Sequence, residues 1–284
     1  MRFSLVVNTT RPKAINAAEA LIQWLDAREV EFLVEKEAAK VLHQTRKVKM
    51  QDLAEKSDCI ITLGGDGTIL ETSHYAHGKP ILGVNLGRLG FLAEFSVEEM
   101  YSAIERVLKG DFKTETRTQL EAAVRRGKKE KRFTALNDVI IEKGGYPRLP
   151  IISLRIDGHL LSDYKADGLI ISTTTGSTAY NMSAGGPIIV PKSRVFAITP
   201  ICPHMLTVRP IVISDDKEFE ITVETHDKNF VLNCDGTMIL NLSPKTSVRV
   251  YKSEKQVVLI TNEKRNYYDV LRQKFLWGKD YEKE

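Results

Sequence analysis

The residues best suited to chemistry are Gly64, Gly65, Asp66, Gly67 and Thr68, which follow the apolar run Cys59 to Leu63 without a break. Adjacent glycines let backbone N–H groups approach phosphate oxygens with no Cβ in the way, and a helix beginning there favours an anion at its N-terminus. A carboxylate repels phosphate, so Asp66 inside such a loop implies a metal ion between the two anions or an acceptor role toward a hydroxyl. Both are features of phosphoryl transfer. The alternative is a tight turn in which the glycines supply positive φ and Asp66 caps the next helix.

A second segment, ADGLIISTTTGSTAYNMSAGGP from Ala166 to Pro187, runs from a buried strand into a loop crowded with Ser and Thr hydroxyls. Hydroxyls held among apolar strands need ligand or backbone partners, and the density of them here favours a ligand loop over a polar surface loop.

The elements that must position these loops follow from the apolar spacing. FSLVVN (3–8) reads as a strand, and Ile15, Ala18, Leu21, Ile22 and Leu25 fall at helical spacing after Pro12. VEFLVE (30–35), CIITL (59–63) and PILGVNL (80–86) read as further strands, the middle one apolar on both faces as in a buried parallel sheet. A helix is expected after Thr68, and another over Val97 to Leu108, stopped by Gly110. From about residue 116 the period changes to alternation, with Ile152, Leu154 and Ile156, then Phe219, Ile221 and Val223, then Val248 and Val250, and with turns at Asp157-Gly158 and Asp235-Gly236. Helical spacing returns at Tyr268, Leu271 and Phe275. The expected fold is an α/β N-terminal domain with an open, mostly parallel Rossmann-like sheet, followed by a β-rich domain. The expected bounds are 1–115 with a returning helix over 265–284, and 116–264 between them.

Taken together, GGDGT at Gly64 to Thr68, Asn137-Asp138 in ALNDVII, TGSTAY at Thr175 to Tyr180 and GGP at Gly185 to Pro187 resemble, in order and spacing, the motifs of the NAD kinases. The resemblance runs from the first strand to about Asp235-Gly236 and more faintly to the end. GGDG alone is shared with lipid kinases and, more distantly, phosphofructokinases; the combination is far more specific. The resemblance implies ATP-dependent phosphorylation of the 2′-hydroxyl on the adenosine ribose of NAD, with a divalent metal ion, most simply Mg²⁺. By the same resemblance Asp66 is the proton acceptor with Gly67 beside it at the phosphates. Asn137 and Asp138 hold the ribose and adenine side, and Thr178, Ala179, Tyr180, Asn181, Met182 and Ser183 wall the NAD pocket. Asp167 matches a carboxylate that binds NAD, in family structures often at a subunit boundary. Lys165, two residues before it in an extended run, would then share its face and reach a phosphate, and Arg148, in the GGYPR loop, would reach the same pocket. Thr174 stands where the family commonly has proline, and Asp138 where many relatives have glutamate.

Composition agrees with such a protein without selecting it. The 284 residues are 42% hydrophobic and 27% charged with a net charge of +4, too mild for a nucleic-acid footprint. The basic run RRGKKEKR (125–132) reads as a hairpin tip. Cys59, Cys202 and Cys234 form no CxxC pair, which suits a reducing, cytoplasmic setting, and the six histidines show no metal spacing. No run of about 18 apolar residues marks a membrane span, and neither Walker A nor GxGxxG is present, so NAD is expected as substrate. A homodimer or homotetramer is implied by the resemblance. Two rival readings share parts of these motifs: a GGDG-type lipid kinase, and a non-catalytic NAD(H) sensor.

Overall fold

The computed structural model describes residues 1–87, 90–126, 129–144, 148–224 and 230–277. The chain divides into two compact units, Met1–Thr116 with Val257–Glu284, and Arg117–Gln256.

In the first unit the chain runs through β1 (Phe3–Val7), α1 (Pro12–Asp26), β2 (Phe32–Glu35), α2 (Lys36–Val41), β3 (Lys47–Val48), α3 (Leu53–Lys56), β4 (Cys59–Gly64), α4 (Asp66–Ala76), β5 (Pro80–Asn85), β6 (Phe95–Ser96) and α5 (Val97–Leu108). The strands pair in parallel in the order β5-β4-β1-β2-β3. From β1 the chain crosses to β2 on one side, and from β4 it crosses to β5 on the other. With right-handed crossovers the helices after β1 and β4 cover opposite faces, and the carboxyl ends of these two neighbours form the switch point where an open α/β sheet binds ligands. One face packs Phe3, Leu5, Ile61 and Leu63 against α1 and α5. Ile60, Ile69 and Ile81 are likewise fully buried, and Gly83 lets α4 lie close, since a Cβ there would strike the Ile69 side chain.

The second unit contains β7 (Thr114–Arg126), which begins in the first unit, then β8 (Lys129–Ala135), β9 (Asp138–Lys143), β10 (Ile151–Ile156), β11 (His159–Lys165), β12 (Gly168–Ser172), α6 (Tyr180–Ser183), β13 (Val195–Ile201), β14 (Ile211–Ser214), β15 (Phe219–Glu224), β16 (Phe230–Cys234), β17 (Thr237–Leu242) and β18 (Ser247–Ile260). Six strands form an antiparallel sheet in the order β14-β13-β12-β9-β16-β17, while β11, β10, β15 and the start of β18 pair antiparallel in that order. Their alternate apolar residues, among them Leu154, Ile171, Phe196, Phe219 and Phe230, share one core. Both expected hairpin turns have left-handed backbone, Asp157 and Gly158 at φ 48° and 81°, Asp235 and Gly236 at φ 57° and 79°.

The end of β18 belongs to the first unit, where Val258 and Leu259 pair in parallel with Pro80 and Ile81, and α7 (Tyr267–Phe275) follows. The return thus begins with a strand at residue 257, ahead of the helix. In the basic run, Arg126 pairs with Lys129 across the hairpin, and its tip at residues 127–128 lies outside the described residues. Among the described residues no helix is long and apolar enough to cross a membrane.

Candidate active site

The GGDGT loop is the junction of β4 and α4, at the switch point of the first unit's sheet. Gly64 is required by packing, because a Cβ there would collide with the Thr68 hydroxyl. Gly65 and Gly67 are not: a Cβ on either would meet nothing within 4 Å, and neither has positive φ. What their missing side chains leave is uncovered backbone at a helix N-terminus, as anion binding requires. The turn reading therefore fails for these two glycines. It fails for Asp66 too, which is the first residue of α4 and sends its carboxylate away from that helix. Phe91 N–H donates to Asp66 Oδ2 at 2.7 Å, and the N–H groups of Leu92 and Ala93 donate to Oδ1 at 3.0 Å each. A carboxylate has about four acceptor directions. Three are taken, which fixes the group and leaves one open. Gly90 is part of the arrangement, since a Cβ on it would fall within the Asp66 carboxylate.

A pocket of about 540 Å³ opens beside this loop, lined by Asn8, Thr10, Arg11, Gly65, Gly67 and Glu71 among others. Asn8 follows β1 and holds the turn into α1, accepting from the Thr10 N–H at 3.2 Å and the Thr10 hydroxyl at 2.7 Å. Sequence reasoning missed this half of the pocket. Its signal was present in the polar run Asn8 to Arg11 between a buried strand and a helix opened by Pro12. Glu35 also lines the pocket, but its carboxylate caps α2 through the N–H groups of Glu37 and Ala38.

In the second unit the structure brings Asn137 and Asp138 against the TTTGST loop. The Thr173 N–H donates to Asn137 O at 2.9 Å, and the Thr173 hydroxyl donates to Leu136 O at 2.6 Å. Gly176 packs flush on Asn137, whose carbonyl a Cβ at 176 would overlap. From the β16–β17 turn, Asp235 accepts the N–H groups of Leu136, Asn137 and Asp138 at 2.8, 2.7 and 3.2 Å. This support was legible in the sequence only as a turn residue. Asp138 is 3% exposed. Burial and the neighbouring Asp235 carboxylate push its carboxyl up to about 7.

The hydroxyl-rich loop is tied to the backbone around it. Its hydroxyls are spent on the backbone: Ser172 on Thr173 O, Thr174 on Pro191 O, Ser177 on Thr174 O and Thr178 on Thr175 O. Only Thr175 Oγ1 among them is buried without a partner. The bond from Thr174 to Pro191, at 2.9 Å, restrains the loop at this position. The Asn181 side chain is fully buried, donating to Ser177 O and Pro187 O and accepting from the Thr199 hydroxyl. Thr178, Ala179 and Met182 are half-buried, while Tyr180 and Ser183 are exposed. The Tyr180 phenol is raised by burial and by the field of Glu142, Cys202, Asp167 and Asp138. This acidic patch with a ring face suits ribose hydroxyls and amide donors.

Lys165 and Asp167 do not share a strand face. Lys165 ends β11, while Asp167 precedes β12 in the other sheet and lies 2.6 Å from Lys143 Nζ, too poorly aligned for a hydrogen bond. The chain changes sheets between them, so the two-residue period does not carry across. Lys165 and Arg148 instead line a pocket of about 760 Å³ with His204, Lys245 and Glu224. The GGY part of the GGYPR loop is described only at Gly144; residues 145–147 lie outside the described residues. No cluster of three or more His, Cys, Asp or Glu able to hold a metal occurs among the described residues.

Comparison with known proteins places this geometry. Residues 3–112 match the ATP-NAD kinase N-terminal domain and residues 136–262 the ATP-NAD kinase C-terminal domain. The chain is 56% identical to an NAD kinase of Chloroherpeton thalassium over 99% of this chain and 100% of that one, and 52% identical to an NAD kinase of Chlorobium limicola over 99% and 98%. Among solved structures it is similar to a yeast NADH kinase complexed with NADH (TM-score 0.92, 25% identity, 100% of this chain and 90% of that one). It is also similar to an NAD kinase from Archaeoglobus fulgidus in complex with ATP (TM-score 0.78, 26% identity, 96% and 99%). With both domains matched in order and curated relatives at more than half identity across nearly the whole length, the chain belongs to the NAD kinase family.

Proposed function

We propose that this kinase transfers the γ-phosphoryl group of ATP to the 2′-hydroxyl on the adenosine ribose of NAD, giving NADP, with Asp66 as the group that orients the hydroxyl and receives its proton. The observation that carries the assignment is the Asp66 carboxylate, held by three N–H groups with one acceptor direction left, beside uncovered glycine backbone at the α4 N-terminus. A free aspartate, with a pKa near 3.9, is a weak base for a sugar hydroxyl. Positioning carries the larger share: in a loose transition state the proton leaves late, so Asp66 orients the nucleophile first and takes the proton as the P–O bond forms. The donor phosphates fit the glycine backbone, with Arg11 supplying charge. Asn137, Asp138, Tyr180 and Asp167 fit the hydroxyls and amide of NAD, and the cations Arg148 and Lys165 fit its phosphates. Neither the lipid-kinase nor the sensor reading is favoured.

Mg²⁺ is typically held by one or two carboxylates and by substrate phosphates, so the lack of a dedicated cage among the described residues suits an ion carried in with ATP. Of the carboxylates that line the pocket, Glu71 would be the one to share it. When bound, the ion offsets phosphate charge that the pocket's carboxylates would otherwise repel. A cytoplasmic homodimer or homotetramer completes the proposal, and light scattering at micromolar concentration tests it.

The deciding experiment incubates the protein with MgATP and NAD and detects NADP through an NADP-specific dehydrogenase, with Asp66→Asn alongside. Product from the wild type and a loss of at least about 100-fold in kcat, with NAD binding retained, are expected. Unchanged turnover in the variant would remove Asp66 from the mechanism.

A further inference from the structure

The Asp66 carboxylate depends on the segment 90–93, and that segment is gripped by the far end of the chain. The Phe91 ring lies 6.2 Å from the Tyr267 ring and 6.1 Å from the Phe275 ring, one at each end of α7, and Lys274 Nζ stands 5.7 Å from its centroid. Tilted aromatic contacts at these separations are favourable beyond the area they bury. The lead into α7 holds the next residues: Asn262 N–H donates to Glu94 at 2.7 Å, Asn262 Nδ2 to Glu99 at 3.1 Å, and Arg265 to Glu99 at 2.7 Å. Glu99 itself closes the capping box of α5 with Ser96. The helix has its own stop and start, with Asn266 accepting from the Asp269 N–H at 2.9 Å and Leu276 left-handed at φ 54°. Residues 91–99 are therefore fixed at several points by 262–275, and the first of those points is the residue whose N–H makes the shortest bond to Asp66.

We propose that α7 is a positioning element for the phosphoryl-transfer reaction: Tyr267 and Phe275 clamp Phe91 so that the amides of residues 91–93 stay on Asp66 and keep its remaining acceptor direction fixed. Neither residue touches the reacting atoms; both act through Phe91. This rests on the reading of Asp66 as the group that receives the hydroxyl proton. It also gives the exposed C-terminal turn a task that packing alone does not require, since Tyr268 and Trp277 remain largely open to solvent beside the clamp.

The test uses the full chain and the variants Phe275→Ala, Phe275→Leu and Asp66→Ala. Hydrogen–deuterium exchange of the peptide covering residues 90–95 reads the clamp without reference to activity, and Asp66→Ala gives the exchange of these amides when their acceptor is gone. The expected result for Phe275→Ala is exchange of that peptide faster by about tenfold. Its kcat falls by about tenfold or more while KM for NAD and ATP stays within about twofold, and Phe275→Leu restores most of both. Unchanged exchange in the 90–95 peptide, or faster exchange with wild-type kcat, would overturn the proposal. So would faster exchange across the whole first unit with no recovery in Phe275→Leu, which would make Phe275 a packing residue only. If the wild type makes no NADP, the catalytic reading fails by itself, and the exchange comparison still decides whether α7 holds the amides on Asp66.

Discussion

Asp66 and Asp235 do the same physical work in different units, each carboxylate collecting three consecutive backbone N–H groups and so fixing the segment that carries them. The difference lies in what is frozen: under the proposed function the Asp66 carboxylate is itself the reactive group, whereas the Asp235 carboxylate sets the backbone of Asn137 and Asp138. Two predictions separate these roles. Gly90→Ala puts a Cβ where the Asp66 carboxylate sits, so steady-state kinetics should show kcat down by at least about 100-fold, because the carboxylate must swing off its amides, and Tm should fall with the loss of those three bonds. A variant with wild-type kcat would mean that Asp66 need not hold this orientation. Asp235→Ala strands three N–H groups at about 1–3 kcal/mol for each that stays buried. Urea denaturation should register a loss of several kcal/mol, with Asp235→Asn milder because an amide oxygen can keep the two bonds now made to Oδ1. Equal stability of the alanine variant would show that water replaces the carboxylate.

Among the elements, those with long apolar signals were legible and the short ones were not. β1, β4 and β5 announce themselves as runs apolar on both faces, and α1 and α5 by their helical spacing. Residues 36–58, which fold into α2, β3 and α3 of six, two and four residues, are too short for a period to show. The hydroxyls of the TTTGST loop were legible in the sequence but their backbone partners were not, because composition reveals hydroxyls but not which carbonyls lie within reach. The loop holds residues 136 and 137, with Gly176 as the point of closest approach. Gly176→Ala should therefore displace Asn137 and raise KM for NAD by about tenfold or more while KM for ATP changes little, read from initial rates with each substrate varied in turn. A parallel rise in both constants would mean that the loop serves the fold as a whole.

At the scale of the whole molecule, one unit is interrupted in sequence by the other, and each has its own core. The change of period near residue 116 was visible, but the return was not visible in β18, because alternation in a strand does not say which neighbour it will pair with. Only the helical spacing of α7 marked the return. The burial of Asp138 was equally hidden, since Asn-Asp before an apolar run looks like a turn; its environment comes from β12 and from the β16–β17 turn, about 35 and 97 residues away. That environment has a global consequence. In the folded chain Asp138 keeps its proton up to about pH 7, whereas the unfolded chain releases it near the usual aspartate value of about 3.9. Between these values the folded state binds more protons, so stability falls as pH rises, by at most about 1.4 kcal/mol per pH unit, and levels off above about 7. Carboxylates held low work the other way but in the acid range: Glu130, bonded to Arg132 and Arg249, and Asp157, bonded to Lys217, lose their contribution only as the pH drops through their lowered values. Scanning calorimetry from about pH 5 to 8 should show Tm decreasing to about pH 7 and then flattening, and Asp138→Asn, with no charge to bury, should lose that slope. A wild-type Tm that is flat or rising to pH 7, or the same slope in the variant, would show that Asp138 is ionised throughout and that the Asp138–Asp235 repulsion is absorbed by other means.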